Sequence, residues 1–291
     1  MNIKIFSKYL IMKVDTLILS GGGPSGIAYV GIFSALFEKK IIKKDLKGIK
    51  EIITTSAGIF FSFFLLLKID IKIIFNLIDR FHISSILQNE NISINDLLVD
   101  FGIYSNHKIK SMFQATIKNI YQKDDLTLQE LYDLTSIKLT VKVFNVTLKQ
   151  LEYISHQTDP TLTISTLAMM TTAIPFIFKP VRYKNNEYID GGLRGHFPIE
   201  VCQSKDYLGI FIIGGSFPEN HKIIQLFPII KYIYSLMINQ ECVPDQSEHK
   251  KIIYNNVNLG LDFDVTEQLY LKVIQMGYDN TMKFIHENLE K

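Results

Sequence analysis

The chain has 291 residues, 47% hydrophobic and 21% charged, a composition that can bury a substantial core and suits one large α/β domain or two small ones. Its 31 basic and 29 acidic residues leave a net charge of +2, and without a basic stripe this argues against a nucleic-acid partner. Two cysteines, Cys202 and Cys242, give neither a disulfide framework nor a C-x-x-C metal pattern, and point to a reducing, intracellular, cytoplasmic setting.

The stretch "MNIKIFSKYLIMKVDTLILSGGG" resembles a signal peptide, but Lys8 and Lys13 interrupt the apolar run, no small-residue cleavage site follows, and its first 14 residues stand apart from the fold. They read as an N-terminal extension, and Met12 as a second start that makes residues 1–11 dispensable. Residues 15–291 read as a single domain, with a core over about 15–215 and a helical C-terminal part over about 221–291. The longest apolar run, residues 59–67, is too short for a bilayer, which takes about 20 residues.

"DTLILSGGGPSGIAYVGIFSALFEKK" opens the fold: a short buried strand at residues 17–19, a glycine-rich turn, then a helix over 27–37. "EIITTSAG" repeats the plan with a strand at 51–54 and a helix from residue 57, apolar on nearly every face and therefore buried. Two strand–turn–helix units in succession predict a mostly parallel sheet with helices on both faces. Residues 70–129 read as helical and loop-like, a cap or insertion over the sheet. "TLQELYDLT" is a short helix with Thr127 and Glu130 placed as a capping box. "IKLTVKVFNVTL" and "QLEYIS" read as strands, "TISTLAMMTTAIP" as a helix stopped by Pro175, "EYIDGG" as a strand end and turn, and "YLGIFIIGG" as a buried strand. Residues 221–290 read as two or three helices.

Three motifs carry candidate chemistry. Gly21, Gly22, Gly23, Ser25 and Gly26 form a nest after a strand and before a helix, able to hold either a dinucleotide pyrophosphate or the oxyanion of an acyl-transfer intermediate. The spacing fits G-x-G-x-x-G, but Asp45, the acid at about the right distance for a ribose, lies in the polar linker "KKDLKG". Ser56 stands between strand and helix, with Gly58 two places on and Thr54 two places before. That pattern fits a nucleophile elbow, where small residues relieve crowding, and equally a helix N-cap. Asp190, at a strand end before Gly191 and Gly192, is an acid exposed by a glycine turn, or simply part of that turn.

Taken together, in this order, the three motifs resemble the patatin-like phospholipases. "LILSGGGPSGIAYVGIFSAL" is similar to the family's oxyanion-hole segment and "TTSAG" to its serine elbow. "LTLQELYDLT", "TTAIPFIFKPVRYKNNEYIDGG" and "FPI" follow in the family's order. The resemblance spans about residues 15–200. It implies a three-layer α/β/α fold with a mostly parallel central sheet, and metal- and cofactor-free hydrolysis of lipid acyl esters by a Ser56–Asp190 dyad. It also implies an oxyanion held by the amides of Gly22, Gly23 and their neighbours. Thr54 replaces the family's usual elbow glycine, which implies slower turnover. Ser25 stands where Arg or Lys is common, which implies altered oxyanion or headgroup electrostatics. His196, six residues after Asp190, reads as a rim or structural histidine, the alternative being a Ser–His–Asp triad.

A lipid ester substrate requires peripheral contact with a membrane or micelle. Residues 222–239 read as a core helix broken by Pro228, or as part of an acyl-chain groove or membrane-touching cap. Residues 60–67 read as core, and Met169 and Met170 as core or groove wall. Two rival readings remain at this level: a lipid-binding relative whose activity is lost through Thr54 and Ser25, and a Rossmann-type nucleotide-binding protein.

Overall fold

The computed structural model describes residues 12–71, 73–74, 99–213, 250–257, 259 and 265–289. It is a three-layer α/β/α arrangement around a mixed central sheet. The strands are β1 (Thr16–Leu19), β2 (Glu51–Thr55), β3 (Gly102–Tyr104), β4 (Lys138–Asn145), β5 (Gln150–Ile154), β6 (Phe176–Phe178), β7 (Val181–Tyr183), β8 (Asn186–Asp190), β9 (Tyr207–Ile213) and β10 (Ile252–Asn256). The helices are α1 (Ala28–Glu38), α2 (Gly58–Leu66), α3 (His107–Tyr121), α4 (Leu128–Thr135), α5 (Ile164–Thr171) and α6 (Glu267–Asn288), with a 3-10 turn, Gly23–Ile27, leading into α1.

The sheet runs β10-β9-β1-β2-β4-β8-β7, with β5 also paired to β4, and β3 and β6 form a separate two-stranded sheet. The pairings from β10 to β4 are parallel, whereas β5 and β8 run antiparallel to β4, and β7 antiparallel to β8. The expectation of a mostly parallel sheet is thus corrected to a mixed one. For two of the three antiparallel pairings the cause is connection length: β4 to β5 and β7 to β8 are joined by tight turns containing Lys149 and Lys184 at φ 57° and 53°, and such short links can join only antiparallel strands.

Both faces of the parallel part are buried. Leu17, Leu19, Ile52, Leu208, Ile210 and Ile253 face the main core, while Ile18, Ile53, Phe211 and Ile252 face a smaller cluster closed by Phe197. This explains continuous apolar runs where a one-sided sheet would alternate. Residues 60–67 pack in or against the main core as the sequence suggests, and so do Met169 and Met170. The capping box forms: Glu130 N–H donates to Thr127 Oγ1 (3.1 Å) and Thr127 N–H to Glu130 Oε2 (2.8 Å).

Four strands escaped the sequence reading. β3 lies within the stretch read as helical and loop-like, β6 and β7 follow Pro175, and β10 lies where only helices were expected. Each has three to five residues, too few for a period-2 signal. α5 ends at Thr171, before Pro175 is reached. α6 crosses α1 at very short range, where a Cβ on Gly31 would lie 1.9 Å from the Ile274 carbonyl oxygen. Among the described residues no helix is long and apolar enough to cross a membrane. Residues 222–239 lie outside the described residues.

Candidate active site

β2 ends at Thr55, and the chain turns through Ser56 and Ala57 into α2. Ser56 has φ 49°, a left-handed conformation that costs a non-glycine residue of order 1 kcal/mol. The turn is possible because Gly58 carries no side chain: a Cβ there would lie 2.3 Å from Thr54 Oγ1 and 2.8 Å from the Ser20 carbonyl oxygen. Thr54 therefore fills the crossing and makes the glycine at 58 more stringent. Its own hydroxyl is buried with no hydrogen-bond partner among the described residues, a cost of about 1–3 kcal/mol.

The helix N-cap reading of Ser56 fails. The residue preceding α2 is Ala57, which makes no side-chain cap. Ser56 Oγ instead donates to Asp190 Oδ2 at 2.6 Å, and both residues are buried. Its N–H donates to Thr171 Oγ1 (2.8 Å), and that hydroxyl donates onward to the Lys142 carbonyl (2.8 Å). Thr55 Oγ1 donates to the same carbonyl at 3.2 Å.

Asp190 reaches the serine because of how β4 is shared. β5 pairs along β4 from Val141 to Asn145 and occupies one edge. The other edge takes β2 and β8 end to end, with Thr55 opposite Lys142 and Asp190 opposite Val143. β2 and β8 approach from opposite directions, so the residue after one and the last residue of the other face each other. Gly192 N–H donates to Asp190 Oδ1 (2.7 Å). A Cβ on Gly191 would lie 2.7 Å from the Lys142 carbonyl oxygen, so that glycine lets the turn lie directly on β4. Burial pushes the Asp190 carboxyl up to about 6, against the opposing pull of the Ser56 hydroxyl, the Gly192 amide and the Lys142 charge.

The glycine turn packs beside this pair, a Cβ on Gly21 meeting Ser56 Cβ at 3.0 Å and one on Gly26 meeting Ala57 Cβ at 3.1 Å. Not all of its amides are available to a ligand. Gly21 N–H donates to the His196 carbonyl (2.8 Å) and Ser25 N–H to the Gly22 carbonyl (3.0 Å). Gly22 and Gly23 open the 3-10 turn, where a helix offers its own amides no internal acceptor. The buried Ser25 hydroxyl accepts from Leu259 N–H (3.0 Å). It ties the turn to the C-terminal segment.

The His196 ring stacks on Phe211 (4.9 Å, 17°), and its Nε2 lies 3.1 Å from the Ile212 carbonyl oxygen. The serine hydroxyl is engaged by Asp190 instead. Asp45 accepts from Lys47 N–H (3.0 Å) in a local exposed turn, a poor position for a ribose partner. Among the described residues no group of three or more His, Cys, Asp and Glu side chains is gathered as a metal site would gather them. Sequence reasoning missed Thr171, Thr55 and Lys142, which support the pair from behind.

The family described as patatin-like phospholipase matches residues 17–202. The chain is 26% identical over 187 residues to "Probable lipid hydrolase 463L" of Invertebrate iridescent virus 6, covering 64% of this chain and 62% of that protein. It is also 26% identical over 189 residues to "Uncharacterized protein R571" of Acanthamoeba polyphaga mimivirus, covering 65% and 61%. The matches thus span about three-fifths of the length of these curated relatives. Among solved structures, VipD from Legionella pneumophila superposes with a TM-score of 0.60 at 20% identity, covering 95% of this chain and 67% of VipD. ExoU of Pseudomonas aeruginosa, in its complex with SpcU, gives 0.52 at 14% identity, covering 96% and 52%. These two likenesses are of fold.

Proposed function

The chain belongs to the patatin-like phospholipase family, and from that premise we propose that it is a lipid acyl hydrolase of the phospholipase or lysophospholipase type. The observation that carries the proposal is the 2.6 Å hydrogen bond from Ser56 Oγ to the buried Asp190 carboxylate. Ser56 Oγ attacks the carbonyl carbon of an acyl ester while Asp190 takes its proton, a direct base in place of a histidine. The resulting oxyanion is received by the amides of Gly22 and Gly23 at the head of the 3-10 turn, whose dipole adds to that of α1. Asp190 then returns the proton to the departing alcohol, leaving an acyl–Ser56 ester. Water attacks that ester with Asp190 again as base, releasing the fatty acid and restoring the serine.

An elevated carboxyl favours this role, since a base near pH 6 accepts a proton more readily than an ordinary aspartate. The substrate is a lipid ester reached by peripheral contact with a membrane or micelle, and the residues named need no cofactor to perform these steps. The test is hydrolysis of a short-chain nitrophenyl ester and of phosphatidylcholine vesicles, beside fluorophosphonate labelling. Labelling and turnover that both vanish in Ser56→Ala support the reading. Folded protein that is neither labelled nor active refutes it in favour of a lipid-binding relative.

A further inference from the structure

Lys142 lies in the middle of β4 with its side chain fully buried, a position that normally costs a charged residue several kcal/mol. Its ammonium has three donors, and three acceptors meet it: the Arg194 carbonyl (2.9 Å), the Gly195 carbonyl (2.8 Å) and Glu200 Oε1 (2.5 Å). Glu200 in turn accepts from Tyr153 Oη at 2.5 Å. The side chain therefore pins both the loop that follows Asp190 and the residues before β9. The Lys142 carbonyl, on the other side of the same residue, accepts from Thr55 and Thr171, the latter holding the Ser56 amide. Lys142 also sits at the junction where β2 gives way to β8 along the edge of β4.

We infer that Lys142 is a positioning residue that holds both halves of the Ser56–Asp190 pair, its carbonyl fixing the serine turn and its ammonium fixing the loop after Asp190 and presenting positive charge to the carboxylate. The inference rests on the hydrolase reading for its functional meaning, but not for its test. Among the described residues, the charged and titratable groups on the elements packed about Asp190 are Lys142 from β4, His196 and Arg194 from the following loop, and Glu200 behind Lys142. The His196 ring is turned to Ile212 and the Arg194 guanidinium lies over the Phe144 ring at 5.8 Å. Lys142 is the cation that draws the Asp190 carboxyl down against the larger effect of burial. A structural lysine alone would leave the titration of Asp190 untouched.

The experiment follows the Asp190 carboxyl carbon by 13C NMR through a pH titration, its signal identified by its loss in Asp190→Asn. The expected result is a midpoint raised by about one unit or more in Lys142→Met. In Glu200→Gln, which keeps an acceptor for the ammonium but removes its counter-charge, the midpoint falls. An unmoved midpoint in folded Lys142→Met overturns the inference. If that variant does not fold, Glu200→Gln decides: a fall upholds it and no change overturns it. On the nitrophenyl ester, kcat/KM of Lys142→Met drops by tenfold or more below pH 7, and its acid limb moves with the NMR midpoint. A wild type whose Asp190 titrates as expected but which hydrolyses no ester refutes the hydrolase reading alone.

Discussion

Thr55 and Asp190 end two strands that meet head-on along one edge of β4, Thr55 opposite Lys142 and Asp190 opposite its neighbour Val143. The serine hydroxyl one residue beyond Thr55 reaches the carboxylate for that reason, at 2.6 Å. The geometry needs no intervening imidazole.

Removal of either partner abolishes the chemistry if the pair is the working dyad. Ser56→Ala falls to background, and Asp190→Asn loses about 10²–10⁴-fold in kcat/KM, the usual worth of a positioned general base. His196→Ala keeps turnover within about tenfold, because it loses an aromatic stack worth about 1 kcal/mol. Parallel rate measurements on folded variants check all three, and a loss in His196→Ala as large as that in Asp190→Asn would indicate a triad.

Asp190 carries a stability cost with a defined pH window. Its carboxyl is raised from 3.8 to about 6 in the folded protein, so the folded state prefers the protonated form. The contribution to stability is full below pH 3.8 and is lost as pH rises through about 6. Above that, the ionised group costs about 3 kcal/mol relative to the unfolded chain. Asp190→Asn therefore raises the melting temperature at pH 8 and changes it little near pH 4. The same titration makes wild-type activity rise with pH through about 6.

Thr171 joins the serine turn to β4 through one hydroxyl that accepts from Ser56 and donates to Lys142. Thr171→Val strands the Ser56 N–H and leaves the Lys142 carbonyl only its bond from Thr55, and costs about 1–3 kcal/mol in denaturant unfolding. It also lowers kcat more than it raises KM, since the displaced group is the nucleophile. Thr171→Ser, which keeps the hydroxyl, restores most of both.

Gly58 and Thr54 are coupled. Gly58→Ala drives a methyl against Thr54 Oγ1 and the Ser20 carbonyl, and destabilises by about 1–3 kcal/mol or more. Thr54→Gly removes the first clash but not the second. The double variant is accordingly more stable than the sum of the singles allows, a non-additivity read by a double-mutant cycle.

Local chemistry made much of the site legible. The three adjacent glycines, a serine flanked by an apolar strand and a glycine, and an acid before Gly191 and Gly192 each announce a backbone that must turn sharply. The capping box at Thr127 and Glu130 was readable for the same reason, since both partners lie within one turn of helix. Lys142 and Thr171 gave no such signal. A lysine at an alternate position of a strand looks like the solvent face, and a threonine at a helix end looks like part of the helix. In the fold both faces of β4 are covered along its middle, and Thr140 and Lys142 are buried like Leu139, Val141 and Val143.

The sequence by itself determined the places where the chain must turn and the groups set at those turns, because a tight turn is governed by a few adjacent φ angles and side-chain volumes. Only the tertiary structure decided which turns face one another. Ser56 and Asp190 are 134 residues apart, and their meeting depends on a sheet edge shared between two strands. That arrangement also selected Asp190 over His196 for the serine hydroxyl, and gave a buried lysine a carbonyl under one partner and an ammonium behind the other. Such choices are long-range because they follow from register, and register is fixed by packing both faces of the sheet at once.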